Sequence, residues 1–158
     1  MKAVVFVSVF LVLLLLSAVP SYSESIDSIS SSVRTPEELA GWLSQNIDYE
    51  FTFGSNSPNT IQDILDSKKG NCEDFALLVS EGLNRLEIEN KIIVLKARGI
   101  PFSHAVCVWK NNDGTYSFTS NAELYNTKEK RVEDAMAKCF PEYDKILNYS
   151  EVRIAWRR

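Results

Sequence analysis

Apolar residues recur at helical spacing in four stretches of the chain, and each stretch predicts a helix. These stretches are 36–47, 61–67, 72–86 and 132–140. The first is preceded by Thr35, with a proline and a glutamate at positions typical of a helix start. The third is almost wholly apolar between Phe75 and Val79, so we predict that it is the central, buried helix.

Strand-like patterns follow the central helix, with one short example before it. Strands are predicted over 49–53, 91–98, 104–110, 115–121 and 151–156. The turn residues Asn111–Gly114 separate two of them and indicate a hairpin. Helices come first and an antiparallel meander with a late helix comes second. The predicted class is therefore α+β, with a central helix packed on a curled antiparallel sheet.

The N-terminal segment has the pattern of a secretory signal peptide. Lys2 supplies a positive charge, residues 3–19 are almost wholly apolar, and small residues lead up to Ser23. We predict cleavage after Ser23 and a secreted, periplasmic or cell-surface protein. The alternative is an uncleaved membrane anchor, since about 17 apolar residues is the lower end of what spans a bilayer. Membrane contact is expected only in that second case.

The remaining chain is expected to form one domain. Residues 24–34 are rich in serine and predict a flexible lead-in, and 35–158 is the predicted domain. Without residues 1–23 the 158-residue chain retains 135 residues, which is enough for one core. Its formal net charge then changes from −4 to −5 because Lys2 is lost. This acidic excess disfavours a nucleic-acid partner.

Cys72 has the setting of a reactive thiol. It follows a glycine turn and opens the central helix, where free amides and the helix dipole favour a thiolate. The same amides suit the oxyanion of an acyl-transfer reaction. Glu73 and Asp74 oppose a second negative charge nearby. The alternative is a buried structural cysteine at a helix start.

His104 is the only histidine in the chain and therefore the only side chain suited to act as a neutral-pH base for a thiol. The alternative is a satisfied core or surface histidine. If Lys110 pairs with Thr115 across the hairpin, His104 faces Asn121, which would orient the imidazole. A slip of one residue would place Ser120 there instead. A Cys–His–Asn set is a workable catalytic triad.

These segments resemble the transglutaminase-like superfamily, most closely the bacterial transglutaminase-like cysteine proteinases. The resemblance covers about 36–125 and is carried by Gly70–Ala76, Ser103–Val106 and the strand ending near Ser120–Asn121. It implies a papain-like α+β fold, with the cysteine on the central helix and the histidine on an adjacent strand. It also implies thiol acyl transfer at an amide, giving hydrolysis or transamidation.

Two residues depart from that family pattern. The family's aspartate on the next strand maps onto Ser120 or Asn121, and neither is acidic. Asn71 stands where several members have an aspartate. Some members bind calcium through acidic residues around the cysteine, and because only Glu73 and Asp74 remain here, the pattern for a calcium site is weakened but not lost. We assign no metal and no cofactor.

The sequence allows two interpretations of Cys107 and Cys139. In an exported protein they would form a disulfide, with Cys72 as the free thiol. Otherwise both are small buried hydrophobic residues.

The leading functional hypothesis is an exported thiol hydrolase acting on amide bonds of proteins or peptides through Cys72, His104 and Asn121. The first alternative is a catalytically degenerate module that binds a peptide or protein, and the second is a small structural domain.

Overall fold

The computed structural model describes residues 24–52, 59–99 and 101–150. Within these ranges the helices are α1 (Ile26–Ser32), α2 (Pro36–Asn46), α3 (Ile61–Ser67), α4 (Cys72–Arg85) and α5 (Val132–Cys139). The strands are β1 (Asp48–Tyr49), β2 (Lys69–Gly70), β3 (Asn90–Lys96), β4 (Ser103–Lys110), β5 (Tyr116–Ser120), β6 (Glu123–Asn126) and β7 (Lys145–Asn148). The predicted strand 151–156 and the predicted signal peptide 1–23 lie outside the described residues.

A five-stranded antiparallel sheet forms the centre of the domain, in the order β6-β5-β4-β3-β7. Successive side chains of β4 point to opposite faces. Ala105, Cys107 and Trp109 pack with α4, whereas Val106 and Val108 pack with α5 on the other face. The small parallel pair β1–β2 leads directly into α4. This arrangement confirms the α+β class, with a central helix on an antiparallel sheet.

Helix α4 is the buried centre of the helical layer. The apolar residues on its sheet-facing side are almost fully buried. Helix α2 packs closely against it at Gly82, where an added Cβ would lie 2.5 Å from Leu39 Cδ2. A side chain at position 82 would therefore displace the buried Leu39, which explains a glycine in the interior of this helix.

The serine-rich segment 24–34 differs from its prediction as a flexible lead-in. Ser25 caps α1, and the side-chain hydroxyls of its serines bond to backbone carbonyls of the preceding turn. Ile29 and Val33 are buried in the core beside α4. The segment is helical because its few apolar residues are spaced to form one face, a pattern that its serine content obscures.

The β4–β5 hairpin has a register one residue away from the predicted one. Lys110 pairs with Tyr116, not with Thr115. Thr115 belongs to the loop, where its amide and hydroxyl both donate to the Asp113 carboxylate at 2.9 and 2.6 Å. Asn111 bonds back to the Thr115 carbonyl. The loop is therefore longer by one residue than a plain reading of its turn chemistry indicates.

No helix within the described ranges is both long and apolar enough to cross a bilayer.

Candidate functional site

Cys72 is the first residue of α4 and is half-buried. Asn71 caps this helix, and its side-chain oxygen accepts from the amides of Glu73 at 2.9 Å and Asp74 at 3.2 Å. The side-chain nitrogen of Asn71 also donates to the Thr52 hydroxyl at 2.9 Å. This cap fixes the backbone that carries the thiol.

Asp74 also stabilises the start of α4. Its carboxylate is almost fully buried and accepts from the Asn71 amide at 2.9 Å and the Asn59 side chain at 3.0 Å. Gly70 approaches this side chain so closely that an added Cβ would lie 2.8 Å from Asp74 Cβ. The glycine, the asparagine and the aspartate thus hold Cys72 in a rigid turn.

The electrostatics of the thiol differ from the prediction. Burial raises the pKa of Cys72 above its ordinary value, and the charge of Glu73 acts in the same direction. Hydrogen bonds from the amides of Ala105 and Glu73 to the sulfur lower the pKa but do not outweigh burial. Burial therefore outweighs the helix start, because desolvation disfavours the charged form of the thiol more than the first-turn amides favour it.

His104 is the second residue of β4 and is half-buried. Its Nε2 lies 2.8 Å from the Ser120 hydroxyl. The rings of Phe140 and Tyr143 lie 5.6 and 6.4 Å from the imidazole. Burial lowers the pKa of His104, and the weaker influence of Glu142 opposes this. At neutral pH the imidazole is therefore uncharged and open to accept a proton.

Both candidate groups lie near the start of β4. Cys72 packs against the core cluster that contains Ala105, the residue directly after His104, and hydrogen bonding to the Ala105 backbone lowers the pKa of the thiol. Tyr143 lies near both, since the ionised form of Cys72 contributes to raising the pKa of its phenol and its ring centroid lies 6.4 Å from that of His104. In the described part of the chain the imidazole is bonded to Ser120 rather than to the thiol. Catalytic hydrogen bonds commonly shorten only when substrate is bound.

Asn121 does not make the predicted contact with His104. Because the hairpin register places Val106 opposite Ser120, Asn121 falls in the turn before β6, with a φ of 53°. Its side-chain oxygen is buried with no partner among the described residues. Ser120 pairs with Val106, two residues after His104, so its side chain lies on the same face of the sheet as His104. Ser120 thus takes the place predicted for Asn121.

A family model described as a transglutaminase-like domain matches residues 18–133. The chain belongs to the transglutaminase-like domain family. A crystal structure of a "Putative Cysteine Protease from Cytophaga hutchinsonii" is similar at 19% identity and a TM-score of 0.49, covering 66% of this chain and 40% of that one. This chain therefore spans less than half of that protein. A search of curated proteins returned no match.

The acidic residues of this transglutaminase-like site do not fit a calcium ion. The Glu73 carboxylate accepts from the Tyr149 hydroxyl, and the Asp74 carboxylate is committed to the helix start. Among residues 24–52, 59–99 and 101–150 there is no group of three or more His, Cys, Asp or Glu side chains able to hold a metal. Calcium is bound by six to eight oxygen ligands, so we derive no step through it.

The two remaining cysteines lie on opposite faces of the sheet. Cys107 is fully buried beside α4, and burial raises its pKa to about 12. Cys139 packs with the cluster of α5 on the other face. All three cysteines are free thiols. The reading of a Cys107–Cys139 disulfide is therefore wrong, and Cys107 is a small buried hydrophobic residue.

Sequence reasoning missed two tyrosines of this site. Tyr49 ends β1 and Tyr143 precedes β7. Burial is the main cause that raises the pKa of both phenols, followed by Cys72 for Tyr49 and by Glu142 and then Cys72 for Tyr143. Neither lies near Cys72 or His104 along the chain. Only the pairing of β1 with β2 and of β7 with β3 brings them to the thiol, and no sequence pattern signals that pairing.

Proposed function

We propose that this transglutaminase-like protein is an exported thiol hydrolase that cleaves amide bonds of peptides or proteins. The observation that supports it most directly is the packing of Cys72 against the core cluster that contains Ala105, the residue directly after His104, which is the only histidine in the chain. A nucleophilic thiol needs a base in reach and a third group that orients the base. Here that third group is the Ser120 hydroxyl. Export is supported by the apolar N-terminal pattern alone.

The first half-reaction transfers the acyl group to sulfur. His104 Nδ1 takes the thiol proton as Cys72 Sγ forms a bond to the substrate carbonyl carbon. For this, Nε2 carries its hydrogen and donates to Ser120, which leaves the Nδ1 lone pair free. The oxygen then holds a negative charge beside the Cys72 amide. The C–N bond breaks as the imidazolium returns its proton to the leaving amine.

The second half-reaction restores the enzyme. His104 takes a proton from water, whose oxygen attacks the thioester carbon. The C–S bond then breaks, the acid product leaves, and the imidazolium returns the proton to the Cys72 sulfur. No redox step and no cofactor enters this sequence. Hydrolysis is favoured over cross-linking, because no described feature marks a site for a second amine substrate.

The resting pair is a neutral thiol and a neutral imidazole, so we expect a broad pH profile for kcat/KM. Activity should rise as pH increases through the pKa of His104, which burial places below the ordinary 6.5. It should fall only at pH values above the pKa of Cys72, which burial raises above its ordinary 9.0. There the thiol has already lost the proton that the leaving amine needs. Iodoacetamide alkylation of Cys72 that is already maximal at neutral pH would contradict the neutral pair.

The test of the proposed function is acyl-enzyme trapping with p-nitrophenyl acetate. We expect an acetyl group on Cys72 by mass spectrometry at neutral pH, followed by turnover, and at least about a 100-fold slower reaction for His104→Ala. Cys139 is half-buried in the same chain and serves as the internal control thiol. Acetylation of Cys72 no faster than that of Cys139, with no effect of His104→Ala, would overturn the proposal.

Ser120 and Asn121 are distinguished by paired substitutions. Ser120→Ala removes the hydrogen bond to Nε2 and is expected to lower kcat about 10-fold or more, because the imidazole is no longer held in one tautomer. Asn121→Gly removes the side chain but suits the positive φ of the turn, so it should change kcat little. The reverse order would restore Asn121 as the orienting residue.

A second candidate function is a binding module that keeps the fold without catalysis. It is favoured by the hydroxyl partner of His104, where the family pattern has a carboxylate, and by the raised pKa of Cys72. Such a module would hold a peptide at the same site without forming an acyl-enzyme. The trapping experiment separates the two functions, since only the hydrolase forms and then releases the acetyl group.

A further inference from the structure

Exposed apolar side chains are concentrated beside the candidate site. Among the described residues, four large hydrophobic side chains are exposed: Tyr49 at 50%, Phe51 at 60%, Phe102 at 44% and Ile146 at 36%. The first three belong to the two segments that lead into the site, whereas Ile146 belongs to the edge strand β7. Scattered single apolar residues are ordinary on a protein surface, but a cluster at one place indicates a binding surface.

Phe51 and Phe102 contact each other across these two segments. Their ring centroids lie 5.6 Å apart with an interplanar angle of 76°, an edge-to-face arrangement. Both side chains remain exposed despite this contact. The pair therefore forms a preformed aromatic corner, which we call the Phe51–Phe102 corner.

Backbone and side-chain bonds hold this corner beside the thiol and the base. The Glu50 amide donates to the Gly70 carbonyl at 2.8 Å. Two residues later, the Thr52 hydroxyl accepts from the side-chain nitrogen of Asn71. Phe51 is thus fixed next to the turn that positions Cys72. Phe102 precedes His104 by two residues. The corner spans the same two segments that supply the nucleophile and the base.

We propose that the Phe51–Phe102 corner is the subsite that binds a large apolar side chain of the substrate, close to the amide bond that Cys72 attacks. This inference rests on the proposed function and names the substrate class for it. An aromatic or long aliphatic side chain buries the exposed surface of both rings, whereas a charged side chain loses hydration against them. The occupant is a peptide, because the corner adjoins the reacting groups.

The test uses two thiol-reactive peptides on the full chain. N-acetyl-phenylalanyl-glycyl and N-acetyl-aspartyl-glycyl chloromethyl ketone differ only in the side chain offered to the corner. In each case the Cys72 sulfur bonds to the methylene carbon as chloride leaves and the thiol proton passes to the base. We expect Cys72 to be alkylated about 10-fold or more faster by the phenylalanyl probe, measured by mass spectrometry and normalised to iodoacetamide.

Variants assign that preference to the corner. Phe51→Ala and Phe102→Ala should each reduce the ratio of the two alkylation rates several-fold, and thermal melts of these exposed substitutions check that the fold is retained. Ile146→Ala removes an exposed apolar side chain elsewhere and should leave the ratio unchanged. Equal alkylation rates for the two probes in the unmodified chain overturn the inference. A rate ratio that changes as much in Ile146→Ala as in Phe51→Ala also overturns it.

The proposed function and this inference fail in different ways. Equal alkylation by the two probes, with acetylation of Cys72 by p-nitrophenyl acetate intact, overturns the apolar subsite and leaves the hydrolase. Loss of acetylation with a retained preference for the phenylalanyl probe overturns the hydrolase and supports apolar peptide binding at the corner. A corner that instead pairs two copies of the chain would show equal probe rates and a dimer abolished by Phe51→Ala, which also overturns the subsite.

Discussion

Replacing Cys72 by alanine is expected to abolish amide hydrolysis, with kcat/KM lowered by at least about 10⁴-fold. The mechanism has no second nucleophile within the described site, and His104 without the thiol has no proton to transfer to the leaving amine. The change should be read with a mixture of internally quenched peptides and with acetylation by p-nitrophenyl acetate. Both signals are expected to disappear together, because they report the same thioester.

The fold should survive this substitution. Cys72 is half-buried, and its backbone position is held by Asn71 and Asp74 rather than by its own side chain. We expect the free energy of unfolding to change by about 1 kcal/mol or less. Cys139→Ala is the matched control, since it removes a half-buried thiol on the other face of the sheet and should retain activity. A fully active Cys72→Ala protein would end the proposed mechanism.

Local signals along the chain specified the framework of this site. The apolar run of α4, the glycine before Asn71 and the alternation of β4 were sufficient to place Cys72 at a helix start and His104 at a strand start. Each of these elements is defined by residues close together in sequence, so its pattern is visible without a structure. The resemblance to the transglutaminase-like family depended on the same segments.

Features that depend on tertiary context were not accessible in this way. The Asp113 contacts in the β4–β5 loop set the register and thereby exchange Asn121 for Ser120 beside His104. The direction of the Cys72 pKa depends on burial against the sheet, which outweighs the helix start. Strands β6 and β7 are short and lack clear alternation, so they were missed. In each case long-range packing decided between locally reasonable alternatives.

Asp74 illustrates how the same carboxylate serves both the fold and the site. Replacing Asp74 by alanine is expected to lower the free energy of unfolding by about 2–3 kcal/mol, because the Asn71 amide loses a charge-assisted hydrogen bond in a buried position. Acetylation of Cys72 should also slow in the folded variant, since the turn that positions the thiol is loosened. Urea unfolding and p-nitrophenyl acetate kinetics measure the two effects.

The chain contains its own control for this prediction. Asp63 occupies the same capping position in α3, where its carboxylate accepts from the Thr60 amide at 2.9 Å, but it is exposed. Asp63→Ala should therefore destabilise the protein less than Asp74→Ala, because water replaces the lost acceptor, and it should leave acetylation unchanged. Asp74→Asn keeps an acceptor oxygen and should recover part of the stability and rate. Equal losses for Asp63→Ala and Asp74→Ala would show that burial of Asp74 adds nothing to the cap, and the coupling between this carboxylate and the thiol would then have to be abandoned.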